Sequence, residues 1–228
     1  MKNFPGKAVL RPWVLAARRV RRREWSLVDL AYARPSYSQF GEDFVLATLL
    51  ADSPPGRYVD VGAFDPHHYS NTYLLHRRGW RGINIEPVPA HHAELARHRT
   101  KDVNLHLAID AVPGQVQINV SGTFSGIVND AYPWGLTGTT VAVQAQPLST
   151  ILAEHLAPGE AIDLLSVDCE GADLVVLQSH DWDRNPTRIV VVELHEAHHI
   201  TELLQGKGYV LHARAGLSGV FVREDEER

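Results

Sequence analysis

The chain has 228 residues, of which 44% are hydrophobic and 21% charged, with a formal net charge of −5 and a single cysteine, Cys169. That balance is ordinary for a soluble globular protein and suits one enlarged α/β domain better than two small ones. One cysteine excludes an intrachain disulfide and fits a reducing cytoplasm, the absence of any C-x-x-C pair argues against a zinc site, and no apolar stretch reaches the ~20 residues of a transmembrane helix.

Charge is unevenly spread. Residues 1–34 carry nine Lys/Arg against two Asp/Glu, a net of +7, which leaves −12 on the remainder. Residues 1–34 therefore read as a basic N-terminal extension and residues 35–228 as the folded domain. The excess centres on Arg18, Arg19, Arg21, Arg22 and Arg23. A basic arm of this kind suits a membrane surface, a nucleic acid or an acidic part of a dimer partner, and a solvated leader helix is the plainer alternative. It is no secretory signal, because the apolar run Val14 to Ala17 is too short and the arginines follow it.

After the arm, a start signal at Ser36/Ser38 and apolar Phe44, Val45, Leu46, Leu49 and Leu50 predict a helix over 38–50. Ser53-Pro54-Pro55-Gly56 breaks it. Strand one is expected at 57–62, a helix capped by Ser70-Asn71-Thr72 runs to about Arg78, and strand two covers 83–86. Pro89 opens the next helix, to about Arg99. Val103 to Ile109 reads as strand three. Gln115 to Val120 and Val141 to Gln146 alternate apolar and polar residues, as half-buried strands do. They flank a loop, 121–140, of the length expected of a lid, so the loop is expected to join two strands outside the main sheet. A short helix starts at Pro147. Strand four is 162–167, a helix covers 172–178, and 188–194 is a fully apolar buried strand. Residues 198–206 are helical, and 210–213 with 219–222 form a closing antiparallel pair.

The densest signal lies between Arg57 and Pro87: strand, glycine turn, helix, strand, acid. An α/β sheet binds a nucleoside this way. Gly62 lacks a Cβ and lets the backbone approach a ligand closely. Glu86, at the end of strand two, can accept hydrogen bonds from both ribose hydroxyls. The turn Asp60-Val61-Gly62-Ala63-Phe64-Asp65 departs from G-x-G-x-x-G, and its two carboxylates would repel a pyrophosphate. They suit a cationic nucleoside without phosphate, such as S-adenosylmethionine. An ordinary βαβ unit with Asp60 facing solvent is the alternative.

In such sheets ligands sit outside the carboxyl ends of the strands. Those ends hold Asp60 and Gly62, Glu86, Ala108 to Asp110, Asp168 and Glu170, and Glu193 and His195. Their joint placement on one edge is the signal.

The strings Tyr37-Ser38-Gln39-Phe40-Gly41-Glu42-Asp43, Tyr58-Val59-Asp60-Val61-Gly62-Ala63, Ser70-Asn71-Thr72, Gly79 to Pro87 and Ile162 to Gly171 resemble the FkbM family of S-adenosylmethionine-dependent methyltransferases. The resemblance covers about residues 36–222. Cys169 stands where the family usually has an aliphatic residue.

The resemblance implies a Rossmann-like class I methyltransferase fold, with a mainly parallel seven-stranded sheet and an antiparallel C-terminal hairpin. It implies that Asp60 and Gly62, beside Ala63, lie along the methionine part of the cofactor. Glu86, followed by Pro87, binds the ribose, and Ala108 and Ile109 flank the adenine. Ser70 and Asn71 are candidates for the amino-acid end, with helix capping as the alternative. Asp168 is expected to touch both cofactor and chemistry. Gln39, Glu42 and Asp43 are expected to wall the site, with Gln39, Asp43, Glu170 and Trp134 toward the acceptor.

Methyl transfer is an in-line displacement, and an alcohol acceptor must also lose a proton. Two routes remain open. His195 can act as general base. Alternatively Asp168, Glu193 and His195, with Glu170 as a further donor, can hold Mg²⁺. The spacing from Asp168 to Glu193 resembles that of metal-dependent O-methyltransferases. The expected activity is O-methylation of a sugar or specialised metabolite hydroxyl. An N-methyltransferase of the same fold and a non-catalytic cofactor-binding or membrane-associated module are the alternatives. A nucleic-acid acceptor is disfavoured, because the body is acidic and no Asp/Asn-Pro-Pro-aromatic string is present.

Overall fold

The computed structural model describes residues 35–122, 125–128 and 138–224. The basic arm and Trp134 lie outside the described residues.

Four apolar strings build the centre of the molecule. They form β1 (Arg57–Val61), β2 (Arg81–Ile85), β8 (Ile162–Val167) and β9 (Thr187–Glu193). Nearly every residue in them is buried, as expected for strands covered by helices on both faces. With β3 (Val103–Leu105), β10 (Tyr209–Ala215) and β11 (Ser218–Arg223) they make one seven-stranded sheet, ordered β10-β11-β9-β8-β1-β2-β3. The strands β3, β2, β1, β8 and β9 are parallel, while β11 runs antiparallel to β9 and pairs with β10 as a hairpin.

The chain winds outward from β1 to β3, then returns to place β8 on the other side of β1. The sheet therefore switches direction between β1 and β8, where such sheets open a crevice. Its two faces carry different cores, because successive side chains alternate. Val59, Val61, Leu165, Val167, Val190 and Val192 pack on one side. Tyr58, Leu164, Ile189 and Val191 pack on the other with Leu46 of α1 (Glu42–Leu49) and Leu75 of α2 (Tyr73–Arg77). Each such buried aliphatic side chain contributes about 1.5–3 kcal/mol.

Asp60 shares the face of Tyr58, so it points under α2 rather than into solvent. The remaining α-helices among the described residues are α3 (Pro89–His98), α4 (Leu148–His155), α5 (Asp173–Gln178) and α6 (Ala197–Gly206). Among the described residues, no helix is long and apolar enough to cross a membrane.

The single strand expected at 103–109 is two strands. Val103–Leu105 stays at the edge of the main sheet, and β4 (Ala108–Ile109) pairs with β7 (Thr139–Gln146) in a second sheet. Its order is β4-β7-β5-β6, with β5 (Gly114–Val120) and β6 (Gly126–Ile127). Strands β5 and β7 are antiparallel, from Gly114 opposite Ala145 to Val120 opposite Thr139. The long loop thus joins two strands outside the main sheet, as its flanking alternation predicts. A small separate core of Val88, Ala108, Ile118, Val143 and Ala145 supports this sheet.

Candidate active site

The ends of β1 and β8 nearly touch. Gly62 has φ +78, and a Cβ there would lie 1.9 Å from the carbonyl oxygen of Asp168. Asp168 N donates to Val61 O at 3.0 Å and Gly62 N to Ile85 O at 2.9 Å. Glycine is required here first by the neighbouring strand end, a reason distinct from the ligand approach expected of it.

Outside these ends lies a cleft of about 1030 Å³, its open mouth included. Gly62, Glu86, Pro87, Ala108, Ile109, Asp168, Glu170, Glu193, His195 and Gln39 all line it. Ten of the expected site residues thus share one cavity, contributed by both sheets. Asp60, Ala63, Ser70, Asn71 and Asp43 are not among its lining residues.

Four of these five side chains are engaged elsewhere. Asp60 is buried on the α2 side, where Thr72 Oγ1 donates to it at 2.7 Å. Burial raises its pKa, and the Thr72 hydrogen bond, Arg99 and Ser166 oppose the rise. Ser70 Oγ accepts from Tyr73 N at 3.1 Å and from Arg99 at 3.0 Å, which ties it to the start of α2. Asn71 donates to Ser166 Oγ at 3.3 Å. Asp43 accepts from Ser36 Oγ and Tyr37 N at 2.7 Å each and from Ser38 Oγ at 2.9 Å, which fastens the 36–38 segment to α1. Glu42 accepts from Ser218 Oγ at 3.0 Å and joins α1 to β11.

Glu86 is 3% exposed, and its two oxygens accept from Phe64 N and Val88 N at 2.8 Å each. Its orientation is fixed by backbone, and a carboxylate oxygen so bonded keeps a second lone-pair site for a hydroxyl. Phe64 (φ 51) and Tyr69 (φ 58) also line the cleft, both in the left-handed region. No periodicity in the sequence marks them.

Beside the ends of β8 and β9 three carboxylates, Glu193, Asp173 and Glu170, surround the imidazole of His195. His195 Nδ1 lies 3.2 Å from Glu193 Oε2 and 3.7 Å from Asp173 Oδ2. The Asp173 carboxylate, then Glu193, holds the imidazole pKa above its ordinary value, against the effect of burial. Burial raises the Asp168 carboxyl well above its usual range, and Glu193, Asp173 and Glu170 add to the rise. Burial likewise raises Glu193, which His195 partly offsets. Asp173 was not foreseen; the signal available was an acid in the first turn of a helix directly after an acid-rich turn.

Among the described residues, donor atoms of Glu170, Glu193 and His195 come within 4.8 Å of one another. Of the expected metal donors, Asp168 is not in this group. Mg²⁺ prefers an all-oxygen octahedron, and an imidazole nitrogen as one of these three donors departs from that preference. These residues do not fit Mg²⁺.

Residues 60–211 match the profile of the Methyltransferase FkbM domain. No curated protein matches the chain. Among solved structures, methyltransferase FkbM from Methylobacillus flagellatus KT is similar at 13% identity with a TM-score of 0.52, over 82% of this chain and 48% of that one. The chain spans about half the length of that protein. Two further structures share 13% and 12% identity: the putative methyltransferase yhhF from Escherichia coli (TM-score 0.44, over 83% and 89% of the two chains) and a TehB-like SAM-dependent methyltransferase from Corynebacterium glutamicum ATCC 13032 Kitasato (0.41, over 92% and 99%). The α/β fold, with its mostly parallel sheet, is that of a class I methyltransferase.

Proposed function

The chain belongs to the FkbM methyltransferase family, and we propose that it is an S-adenosylmethionine-dependent O-methyltransferase acting on a hydroxyl of a sugar or specialised metabolite. The observation that carries the reading is the imidazole of His195 between Glu193 and Asp173, in the same cleft as Glu86 and Gly62.

S-adenosylmethionine, when bound, supplies a methyl carbon made electrophilic by its sulfonium. Glu86 is set to accept from ribose hydroxyls, and Ala108 and Ile109 offer apolar surface to the adenine. Two carboxylates on Nδ1 favour the Nδ1–H tautomer, so Nε2 carries the lone pair. At Nε2, His195 takes the proton that the acceptor hydroxyl loses as its oxygen gains the methyl group. Glu170, on the turn beside it, is placed to orient the acceptor. The lone cysteine favours the cytoplasm, and the basic arm is proposed to lie against an anionic membrane surface or a second copy.

Methyl-labelled S-adenosylmethionine, offered with sugars and hydroxylated metabolites, tests the reading. Label on an acceptor oxygen, lost in His195→Ala while S-adenosylhomocysteine still binds, is the expected result. Label on amines that survives His195→Ala would replace it with N-methylation. Failure to bind S-adenosylhomocysteine would overturn the cofactor assignment.

A further inference from the structure

We propose that Asp173 is the positioning residue of this site, holding His195 in register with the turn from Asp168 to Gly171. The proposal rests on the reading of His195 as base, but its test does not depend on turnover.

Asp173 opens α5 and is 2% exposed. Its Oδ1 accepts from Cys169 N at 2.9 Å and its Oδ2 from Gly171 N at 3.2 Å. The same Oδ2 lies 3.7 Å from His195 Nδ1. One carboxylate therefore touches two backbone amides of the turn and the imidazole across the cleft.

The turn needs such an anchor. Glu170 has φ 50 and Gly171 φ 98. A non-glycine residue in the left-handed region is strained and persists only where its surroundings over-determine it. Two amides bound to one buried side chain do so. The same anchor brings the Glu170 carboxylate within 4.8 Å of the donor atoms of His195 and Glu193. Without Asp173 the turn would relax, and Glu170 would lose its place beside the base.

Three acids face the imidazole: Glu193 from β9, Asp173 from α5 and Glu170 from the turn. Asp173→Asn alters this in a specific way. The amide oxygen can still accept from Cys169 N. The amide nitrogen, a donor, then opposes both Gly171 N–H and a protonated Nδ1. It is best satisfied when His195 Nδ1 is an acceptor, which moves the ring proton to Nε2.

Imidazole ¹⁵N NMR on the full chain bound to S-adenosylhomocysteine reads this directly, with the His195 signals assigned by their loss in His195→Ala. The wild-type neutral ring is expected as the Nδ1–H tautomer. In Asp173→Asn the titration midpoint of His195 should move to lower pH and the Nε2–H form should grow, while S-adenosylhomocysteine remains bound. An unmoved midpoint and tautomer in Asp173→Asn would overturn the proposal. If that variant does not fold, Glu193→Gln decides: with the carboxylate 3.2 Å from Nδ1 removed, a neutral ring that stays Nδ1–H would support Asp173 as its partner and an Nε2–H ring would overturn the proposal. If the NMR results hold while His195→Ala still transfers methyl groups, the base assignment fails and the positioning contact stands.

Discussion

A Cβ at position 62 would stand 1.9 Å from the carbonyl oxygen of Asp168 and 2.9 Å from its carbonyl carbon. Backbone is the obstacle, so no side-chain rotation relieves it, and φ +78 adds strain for any L residue. Gly62→Ala must part β1 from β8 at the switch point. Overpacking costs about 1–3 kcal/mol and the left-handed backbone about 1–2 kcal/mol more. A loss of at least about 2 kcal/mol in urea unfolding is expected, with weakened S-adenosylhomocysteine binding in calorimetry. Unchanged stability would mean that the two strand ends separate freely.

Glu86→Ala should weaken S-adenosylhomocysteine binding by about 10- to 100-fold, the equivalent of a charge-assisted hydrogen bond or two. The substitution removes the ribose acceptor and also releases Phe64 N and Val88 N from their shared partner. Glu86→Gln keeps the shape and removes the charge. Its amide nitrogen leaves one of the two backbone donors facing a donor, so it too should bind weakly although the shape is kept. Calorimetric affinity near wild type in Glu86→Gln would show that the carboxylate is not read by the ligand.

The pH profile follows from the sign of the His195 shift. Its pKa is raised, first by Asp173 and then by Glu193, so the basic form appears above the usual imidazole range. Methyl transfer should therefore rise with pH through a midpoint above about 6.5 and then level off. Removing the negative neighbour in Glu193→Gln should move the midpoint down. The same shift implies a stability contribution that is complete below the unfolded pKa of about 6.5 and is lost as pH rises through the folded value. A rate that falls with pH across neutrality would contradict the base role.

Asp168→Asn is expected to stabilise the protein. The Asp168 carboxyl is raised by burial and by Glu193, Asp173 and Glu170. The folded chain therefore holds a proton that the unfolded chain releases near pH 3.9, and stability falls as pH rises above that value until the folded group itself ionises. The amide carries no charge to repel. Its Tm should exceed wild type at pH 8, by about 2–4 °C for each kcal/mol, and the gap should narrow toward pH 5. A lower Tm at pH 8 would show that the hydrogen bonds of Asp168 outweigh its crowding.

The sequence made the sheet legible because its strands are buried on both faces and read as unbroken apolar runs, such as Ile189 to Val192. It made the strand-end acids legible because the topology puts Glu86, Asp168 and Glu193 on one edge. Direction was the harder part. Asp60 and Gly62 lie two residues apart, yet Gly62 lines the cleft while Asp60 points beneath α2 to Thr72. Nor does composition reveal that residues 103–109 divide between two sheets, because Val103 and Ala108 are equally suited to either. Asp173 escaped notice because an acid at a helix start has an ordinary reason to be there.

Arg99 shows how much of the site depends on residues outside it. Its side chain is 1% exposed and lies 3.6 Å from Asp102, which is fully buried. It donates to Tyr58 OH at 2.9 Å, to Pro66 O at 2.9 Å and to Ser70 Oγ at 3.0 Å. The last two contacts bracket the segment that carries Tyr69 to the cleft. Arg99→Met fills much of the volume but takes the guanidinium from the Asp102 carboxylate, which keeps only Tyr58 OH, Gly82 N and His76 beside it, and breaking a buried pair from one side costs up to about 3–5 kcal/mol. Urea unfolding should show that loss. Adding Asp102→Asn should recover part of it, because the stranded charge is then gone, so the double variant should be more stable than the sum of the singles. S-adenosylhomocysteine affinity should stay low in both, since Pro66 and Ser70 remain untied. Additive losses would mean that Arg99 and Asp102 stabilise the fold independently, and unchanged affinity would mean that the Pro66–Ser70 segment keeps its place without Arg99.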